Sequence, residues 1–541
     1  MEKLPLLIHF FKGKAKSVTY TFINRKQGTI KDEVLSGLTV AIALVPEAIA
    51  FAIIAGVDAK IGLFSAFMMG IITSLLGGRP GMVTGATGAV AVVIAPLVMT
   101  SGIEYLFPTI ILAGLMQMAV GALKLGKFIR MVPHSVMLGF VNGLAIVIFM
   151  AQFSQFTNKA GGDLDNAGLI AFVGLILITM LVMFVLPKFT KAIPSALVAI
   201  VVASVVAIFF FPNTITIGDK ADMSAMSDGL FSPFFMLFDA IPFSMESLLI
   251  ILPFALKVAG VGLIESLLTL TLVDEMTDTR GSGNRESMAQ GVANVVTGFF
   301  GGMGGCAMIG QTMININSGA RARLSSFLAA IFLLSFMLVL GEIIAVVPIA
   351  VLVGVMFMVA IATFEWASFR VWNKVPKLDV SVIIIVSVIT VIEDLAVAVL
   401  VGVIISALAF AWQNALRIRA RKYIDDHGVK HYEIFGPLFF ASVTAFLSKF
   451  DAKNDPDSVV IDFQESKVMD QSAIEAINKI ADKYTLEGKT IHLRHLSADC
   501  VRMVKRAGEV CEVNVLEDPD YFVAINDYER IKRQEKADLL T

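Results

Sequence analysis

Residues 301–307 read Gly301-Gly302-Met303-Gly304-Gly305-Cys306-Ala307, and residues 84–89 read Thr84-Gly85-Ala86-Thr87-Gly88-Ala89. Each stretch interrupts an apolar region and sits at or just before the start of a short apolar run. Glycine permits close approach of backbone to a neighbour or a ligand. Non-helical backbone at membrane depth is tolerated only where it is buried in protein or lines a cavity. The two stretches therefore predict a pair of half-helices that begin inside a membrane domain. Tight helix packing by small residues accounts for one such stretch alone, and accounts less well for a matched pair.

The surrounding composition supports a membrane protein. The chain has 541 residues, 57% hydrophobic and 16% charged, with a mean hydropathy of +0.80. Soluble domains carry about 25% charged residues. The formal net charge is −2, which leaves no basic footprint for nucleic acid. Cys306, Cys500 and Cys511 form neither a disulfide nor a metal pattern. Residues 1–30 are basic and mixed, and read as a cytoplasmic segment rather than a cleavable signal peptide. No nucleophile–base pair, metal cluster or cofactor motif suggests an enzyme.

A hydrocarbon core about 30 Å thick needs roughly 20 apolar residues per helix. Scanning for such runs gives fourteen candidate spans, from 34–54 to 395–413. The third (86–100), ninth (287–300) and tenth (306–317) are short for a full crossing. Cytoplasmic loops are richer in Lys and Arg. Every second loop carries them: Arg79; Lys124, Lys127 and Arg130; Lys188 and Lys191; Arg280 and Arg285; Arg321 and Arg323; Arg370, Lys374 and Lys377. Intervening loops offer Lys60, Lys159 and Lys220. The alternation predicts both termini inside, a multi-pass protein of the inner (plasma) membrane, and a transmembrane domain over 31–415.

Spans 1–7 and 8–14 would be two halves of opposite topology. The glycine-rich stretches then occupy equivalent places, before the third and tenth spans. Interrupted segments at matching places in two halves point to a transporter site. A half-helix starting inside the membrane directs free N–H groups and a positive dipole end at the cavity. An anion is the expected ligand.

Glu265, inside span 8, is an ionisable residue at membrane depth and a functional candidate by default. Thr269 lies one turn on along the same face. The pair is a candidate Na⁺ site; alternatively, the carboxyl carries a proton. Glu47 follows Pro46 in the middle of span 1, where the proline is expected to break the helix. Lys257 is expected to snorkel outward. Asp274, Glu275 and Asp278 are expected in solvent at the end of span 8.

Past Lys422 the pattern changes. Strands are expected at His431–Phe440, Ser458–Phe463 and Thr490–Leu493, and helices at Gln471–Tyr484 and Ala498–Ala507. Alternating strands and helices imply a small α/β domain, placed at 428–541.

Several motifs resemble the SulP (sulfate permease) family of anion transporters. They are Asp32-Glu-Val-Leu-Ser-Gly-Leu-Thr-Val-Ala, Pro46 with Ala50-Phe51-Ala52, Gly62-Leu-Phe-Ser-Ala-Phe67, Gly77-Gly78, and Glu265-Ser-Leu-Leu-Thr269. Asn284, Gln290-Gly291, Asn294 and Ser318-Gly319-Ala320-Arg321 continue the match. The resemblance implies an all-α polytopic protein of fourteen transmembrane spans in a 7+7 inverted repeat. Spans 1–4 and 8–11 would form a core, and spans 5–7 and 12–14 a gate. The tail would be a cytoplasmic STAS domain, and the protein a homodimer.

The same resemblance, joined to the dipole argument, sets the expected site. Substrate-binding candidates are Glu47, Phe51, Thr87, Gly88, Ala89, Cys306, Ala307, Met308 and Gln311. Coupling-ion candidates are Glu265 and Thr269, serving H⁺ or Na⁺. Three positions depart from the family pattern. Glu47 stands where Gln is frequent, and Gln311 where sulfate-transporting members have Arg. Gln471, in Asp470-Gln471-Ser472-Ala473, stands where the STAS pattern has its phosphorylated serine. Without an Arg at 311, a monovalent anion such as bicarbonate or chloride gains weight beside sulfate. A secondary active carrier is the leading expectation; a passive channel or a chloride/anion exchanger of the same family is the alternative.

Overall fold

A computed structural model describes residues 29–126, 132–156, 164–190, 194–220, 244–339, 341–371, 374–393, 395–496 and 514–516. The first 28 residues, the expected helix at Ala498–Ala507 with Cys500, and Cys511 lie outside them, as do Lys127, Arg130, Lys159 and Lys191. Contacts divide the chain into two units, 1–403 and 404–541.

Every expected span has a helix, the last of them running across the boundary between the two units. They are α1 Ile30–Ala55, α2 Ala59–Leu76, α3 Gly88–Ser101, α4 Leu106–Ala122, α5 His134–Ala151, α6 Asn166–Phe189 and α7 Ser195–Phe210. The second set is α8 Met245–Thr277, α9 Gly283–Phe299, α10 Ile309–Asn317, α11 Leu324–Val339, α12 Ile349–Thr363, α13 Lys377–Ile392 and α14 Leu395–Ala415. Among the described residues, eight helical segments are long and apolar enough to cross a membrane. Helix α3 has 14 residues and α10 has 9. At 1.5 Å per residue these reach about 21 and 14 Å, short of a membrane core.

The packing repeats with a shift of seven helices. α1 packs on α11, and α8 on α4. α2 packs on α11, and α9 on α4. α1 packs on α10, and α8 on α3. α5 packs on α13, and α12 on α6. Helices 1–4 and 8–11 thus pack among themselves as a core. α5 and α12 touch that core through α3 and α1, on the side where the gate helices lie. Two two-residue strands, β1 Thr84–Gly85 and β2 Cys306–Ala307, pair antiparallel with Thr84 opposite Ala307 and Gly85 opposite Cys306. The chain therefore enters α3 and α10 in opposite directions from one strand crossing.

Two expectations are corrected. Helix α1 runs unbroken through Pro46. The proline removes only the bond to the Ile42 carbonyl, and helices packed around α1 hold the rest in place. Asp274 is not left to solvent: its carboxylate lies 3.2 Å from the Arg79 guanidinium. Arg79 is 8% exposed, and a buried guanidinium needs such a counter-charge. Glu275 and Asp278 are exposed as expected. Lys257 Nζ lies 5.5 Å from the Phe254 ring centroid.

The second unit holds an α/β sheet. Its strands are β3 Arg419–Ile424, β4 Lys430–Leu438, β5 Ser458–Asp462, β6 Ser466–Val468, β7 Thr490–Arg494 and β8 Asn514–Leu516. The order is β3-β4-β5-β7-β8, with β6 pairing β4. β3 lies upstream of residue 428. One sheet face packs Tyr432, Ile434, Val459, Ile461, Ile491 and Leu493 against helix α15 (Val443–Leu447) and helix α16 (Gln471–Leu486). Asp470 caps α16 by accepting from the Ala473 N–H at 2.9 Å, which leaves Gln471 as its first residue.

Candidate functional site

The crossing of β1 and β2 depends on glycine. A Cβ on Gly305 would fall 1.9 Å from the Gly85 carbonyl oxygen, so no side chain fits there. Polar side chains from three neighbouring helices peg the crossing. Asn294 of α9 accepts from the Gly305 N–H at 2.9 Å and donates to its carbonyl at 3.1 Å. Ser65 of α2 accepts from the Met303 N–H at 2.7 Å. Ser266 of α8 accepts from the Ala307 N–H at 3.1 Å. Gln290 donates to the Thr84 hydroxyl at 3.1 Å.

These bonds hold the crossing from which both helices start. The first N–H groups of a helix have no partner inside it. Thr87 caps α3, its hydroxyl accepting from Val90 N–H at 3.4 Å, which leaves the N–H groups of Gly88 and Ala89. At α10 the capping position is Met308, which makes no side-chain cap bond. The N–H groups of Ile309, Gly310 and Gln311 therefore point out of an uncapped helix end. Gly310 is exposed, and a Cβ there would meet nothing within 4 Å. The start of α10 thus opens onto free space while Gly88, Ala89 and Ala307 are buried. Phe51 lies against Gly88, whose added Cβ would sit 2.8 Å from the ring.

Two buried carboxyls reach this place, one from each half. Glu265 is 7% exposed and accepts from the Cys306 thiol at 2.9 Å. The same sulfur lies 3.1 Å from the Thr87 hydroxyl. Glu47 is 7% exposed and accepts from the Gln311 side-chain amide. Among the described residues, neither Lys nor Arg hydrogen-bonds any group of the crossing. The positive end of the site is backbone.

All nine expected substrate residues fall at or beside the two helix starts. Glu265 joins them through Cys306. Thr269 does not turn to the Glu265 carboxylate: its hydroxyl donates to the Glu265 backbone carbonyl at 2.7 Å. Hard cations take several oxygen ligands at once. A thiol-bonded carboxylate and an intrahelical hydroxyl make a poor set for Na⁺ and a natural one for a proton. Ser266, whose hydroxyl pins Ala307, was not singled out in the sequence; its place next to Glu265 was the available signal. A small cavity lined by Ala50, Ile53, Gln152, Gln155, Ile349 and Leu352 sits one turn further along α1, between it, the turn that follows α5 and the start of α12.

Comparisons with known proteins show the family and the fold of this chain. The chain matches the model of the sulfate permease family over residues 30–163 and 162–386, and that of the STAS domain over residues 422–519. It is 42% identical over 490 residues to YbaR of Bacillus subtilis (strain 168), assigned by name as a sulfate transporter; the match covers 90% of this chain and 99% of that one. It is 29% identical over 504 residues to the bicarbonate transporter BicA of Picosynechococcus, covering 84% of this chain and 86% of the relative. The solved transmembrane domain of a cyanobacterial BicA overlays with a TM-score of 0.57 at 28% identity, over 68% of this chain and 97% of that one. Murine Slc26a9 shares the fold, with a TM-score of 0.75 at 19% identity over 94% of this chain and 92% of that one. The chain belongs to the sulfate permease family and carries a C-terminal STAS domain.

Proposed function

We propose that this multi-pass membrane protein is a secondary active transporter of an inorganic oxyanion, coupled to protons through Glu265. The observation that carries the reading is that two helices, one of them uncapped, start from a single strand crossing beside a buried carboxyl. Five backbone N–H groups and two positive dipole ends favour an anion there. The core helices α1–α4 and α8–α11 would carry the site past the gate helices. Sulfate is the first substrate to test. A proton and bicarbonate travelling together amount to carbon dioxide, so proton coupling argues for an anion that stays charged. Bicarbonate is the second reading, favoured by the neutral Gln311 and by the likeness to BicA; it would go with Na⁺ coupling.

The alternating Lys/Arg loops support an inner-membrane protein with both termini in the cytoplasm. The domain division that goes with this reading is a segment at 1–30, a transport domain at 31–415 and a STAS domain at 428–541. The family resemblance supports a homodimer.

The test is uptake of labelled sulfate and labelled bicarbonate into proteoliposomes, under an imposed pH gradient and separately under an imposed Na⁺ gradient. Sulfate accumulation driven by acid outside supports the reading. Bicarbonate uptake driven by Na⁺ moves the assignment to the second one. Anion flux that neither gradient drives makes the protein a channel or an exchanger.

A further inference from the structure

We propose that Glu47, acting with Gln311, is a second proton-binding site of the transport cycle, so that a divalent anion crosses with two protons. The proposal rests on the proton-coupled reading above and adds to it the number of protons and the group that holds the second one.

Glu47 is a buried carboxyl with a neutral partner. Its carboxylate accepts from the Gln311 amide, in the first turn of α10. The elements packed on α1 are α2, α3, α7, α10, α11 and α12. Among their described residues, the one titratable side chain is Lys60 at the start of α2, and it lies 3.8 Å from Asp58. On α1 itself the charged residues Lys31, Asp32 and Glu33 sit about 21 Å away along the helix, near its start. At the crossing the other titratable groups are Glu265 and Cys306, neither of them a cation. A charge left in such a place without a counter-charge is strongly disfavoured.

Charge then decides the cycle. The two helix ends supply about half a positive charge each. Sulfate brings two negative charges, and ionised Glu47 and Glu265 would add two more. Loading a divalent anion beside two ionised carboxylates concentrates like charge in a low-dielectric site. One proton on Glu265 leaves the Glu47 charge facing the anion; a second proton removes it.

Gln311 gives the second proton a local consequence. An ionised carboxylate only accepts hydrogen bonds, so it holds the Gln311 amide N–H groups. A protonated Glu47 donates its O–H to the amide oxygen instead. The amide nitrogen is then released toward the start of α10, where an anion would lie. Proton binding therefore removes a repelling charge and adds a donor. Both protons come from the solution on the loading side and leave on the other; no covalent step is involved.

Full-length protein in proteoliposomes tests this. Equilibrium accumulation of labelled sulfate is measured against an imposed pH gradient, with the membrane potential clamped to zero by potassium and valinomycin. Two coupled protons give about a hundredfold accumulation per pH unit, and one gives about tenfold. Wild type is expected at the first value and Glu47→Gln at the second. Initial uptake by the wild type is also expected to ignore a potential imposed at equal pH, because two protons and one sulfate move no net charge. Tenfold accumulation in the wild type, a potential-sensitive uptake, or a hundredfold slope kept by Glu47→Gln overturns the proposal. Wild-type accumulation that ignores the pH gradient altogether overturns the proton-coupled reading beneath it. If Glu47→Gln does not fold, the wild-type slope and potential dependence still decide.

Discussion

The Cys306 thiol, at the break before α10, donates to the Glu265 carboxylate of α8 at 2.9 Å. Residues 41 positions apart are thereby joined at the point where the two halves meet, because the same sulfur touches Thr87 of the first half. The contact ties the group that would titrate to the backbone that would bind. Cys306→Ser keeps a donor and an acceptor at this place and is expected to keep gradient-driven uptake. Cys306→Ala strands a buried carboxyl at a cost of about 1–3 kcal/mol, and is expected to slow gradient-driven uptake about tenfold or more. Initial rates in proteoliposomes check both variants.

Gln311→Arg places a permanent cation beside Glu47 and at the mouth of α10. A unit charge about 4 Å from another interacts by about 1 kcal/mol in water and about 4 kcal/mol at an effective dielectric of 20. The variant is expected to raise the preference for sulfate over bicarbonate by roughly tenfold, read as the ratio of their competition constants against one labelled anion. An unchanged ratio would place Gln311 outside the anion's reach.

The second unit has its own electrostatic test. Asp455 has a fully buried side chain and accepts from Lys430, from Tyr484 and from the Tyr432 hydroxyl, the last at 2.6 Å. Burial pushes its carboxyl up, but the bonds from Lys430, Tyr432 and Tyr484 outweigh it and hold the carboxyl below its usual range. A carboxyl lowered in the folded state stabilises the fold above its unfolded value of about 3.9. That contribution is lost as pH falls through the folded value. Protection factors of the Gln471–Leu486 amides in the full-length protein are therefore expected to hold at neutral pH and to fall below about pH 4. Asp455→Asn is expected to lose about 1–3 kcal/mol at neutral pH and to show a flatter acid limb.

Much of this was legible in the sequence because lipid imposes a simple code. Apolar length gave the fourteen helices, and glycine-rich breaks gave the two half-helices. The pairing of side chains was not legible. Glu47 and Gln311 each stood out as a departure from the family pattern, yet at a separation of 264 positions nothing in the sequence says that they touch. Cys306 likewise stood among the anion candidates and Glu265 among the coupling ones, with no sign of a direct bond. Local chemistry misled at Pro46, where packing overrides the missing N–H, and at Asp274, which Arg79 draws inward from a distant loop. β3 was hidden for a different reason: with Arg419, Arg421 and Lys422 among its six residues it carries no alternating apolar pattern, because it is an exposed edge strand.

An anion is expected to bind at the open start of α10, beside the strand crossing. Gly310 gives the most direct test, because a side chain there meets no neighbour within 4 Å and a carboxylate in the first turn of a helix is stabilising. Sulfate binding to purified Gly310→Asp is measured beside wild type, with elution profile and melting temperature as controls. The variant is expected to be at least as stable as wild type and to bind no sulfate, since its own carboxylate occupies the helix end. Wild-type affinity in a well-folded Gly310→Asp protein would contradict this expectation and move the anion site elsewhere.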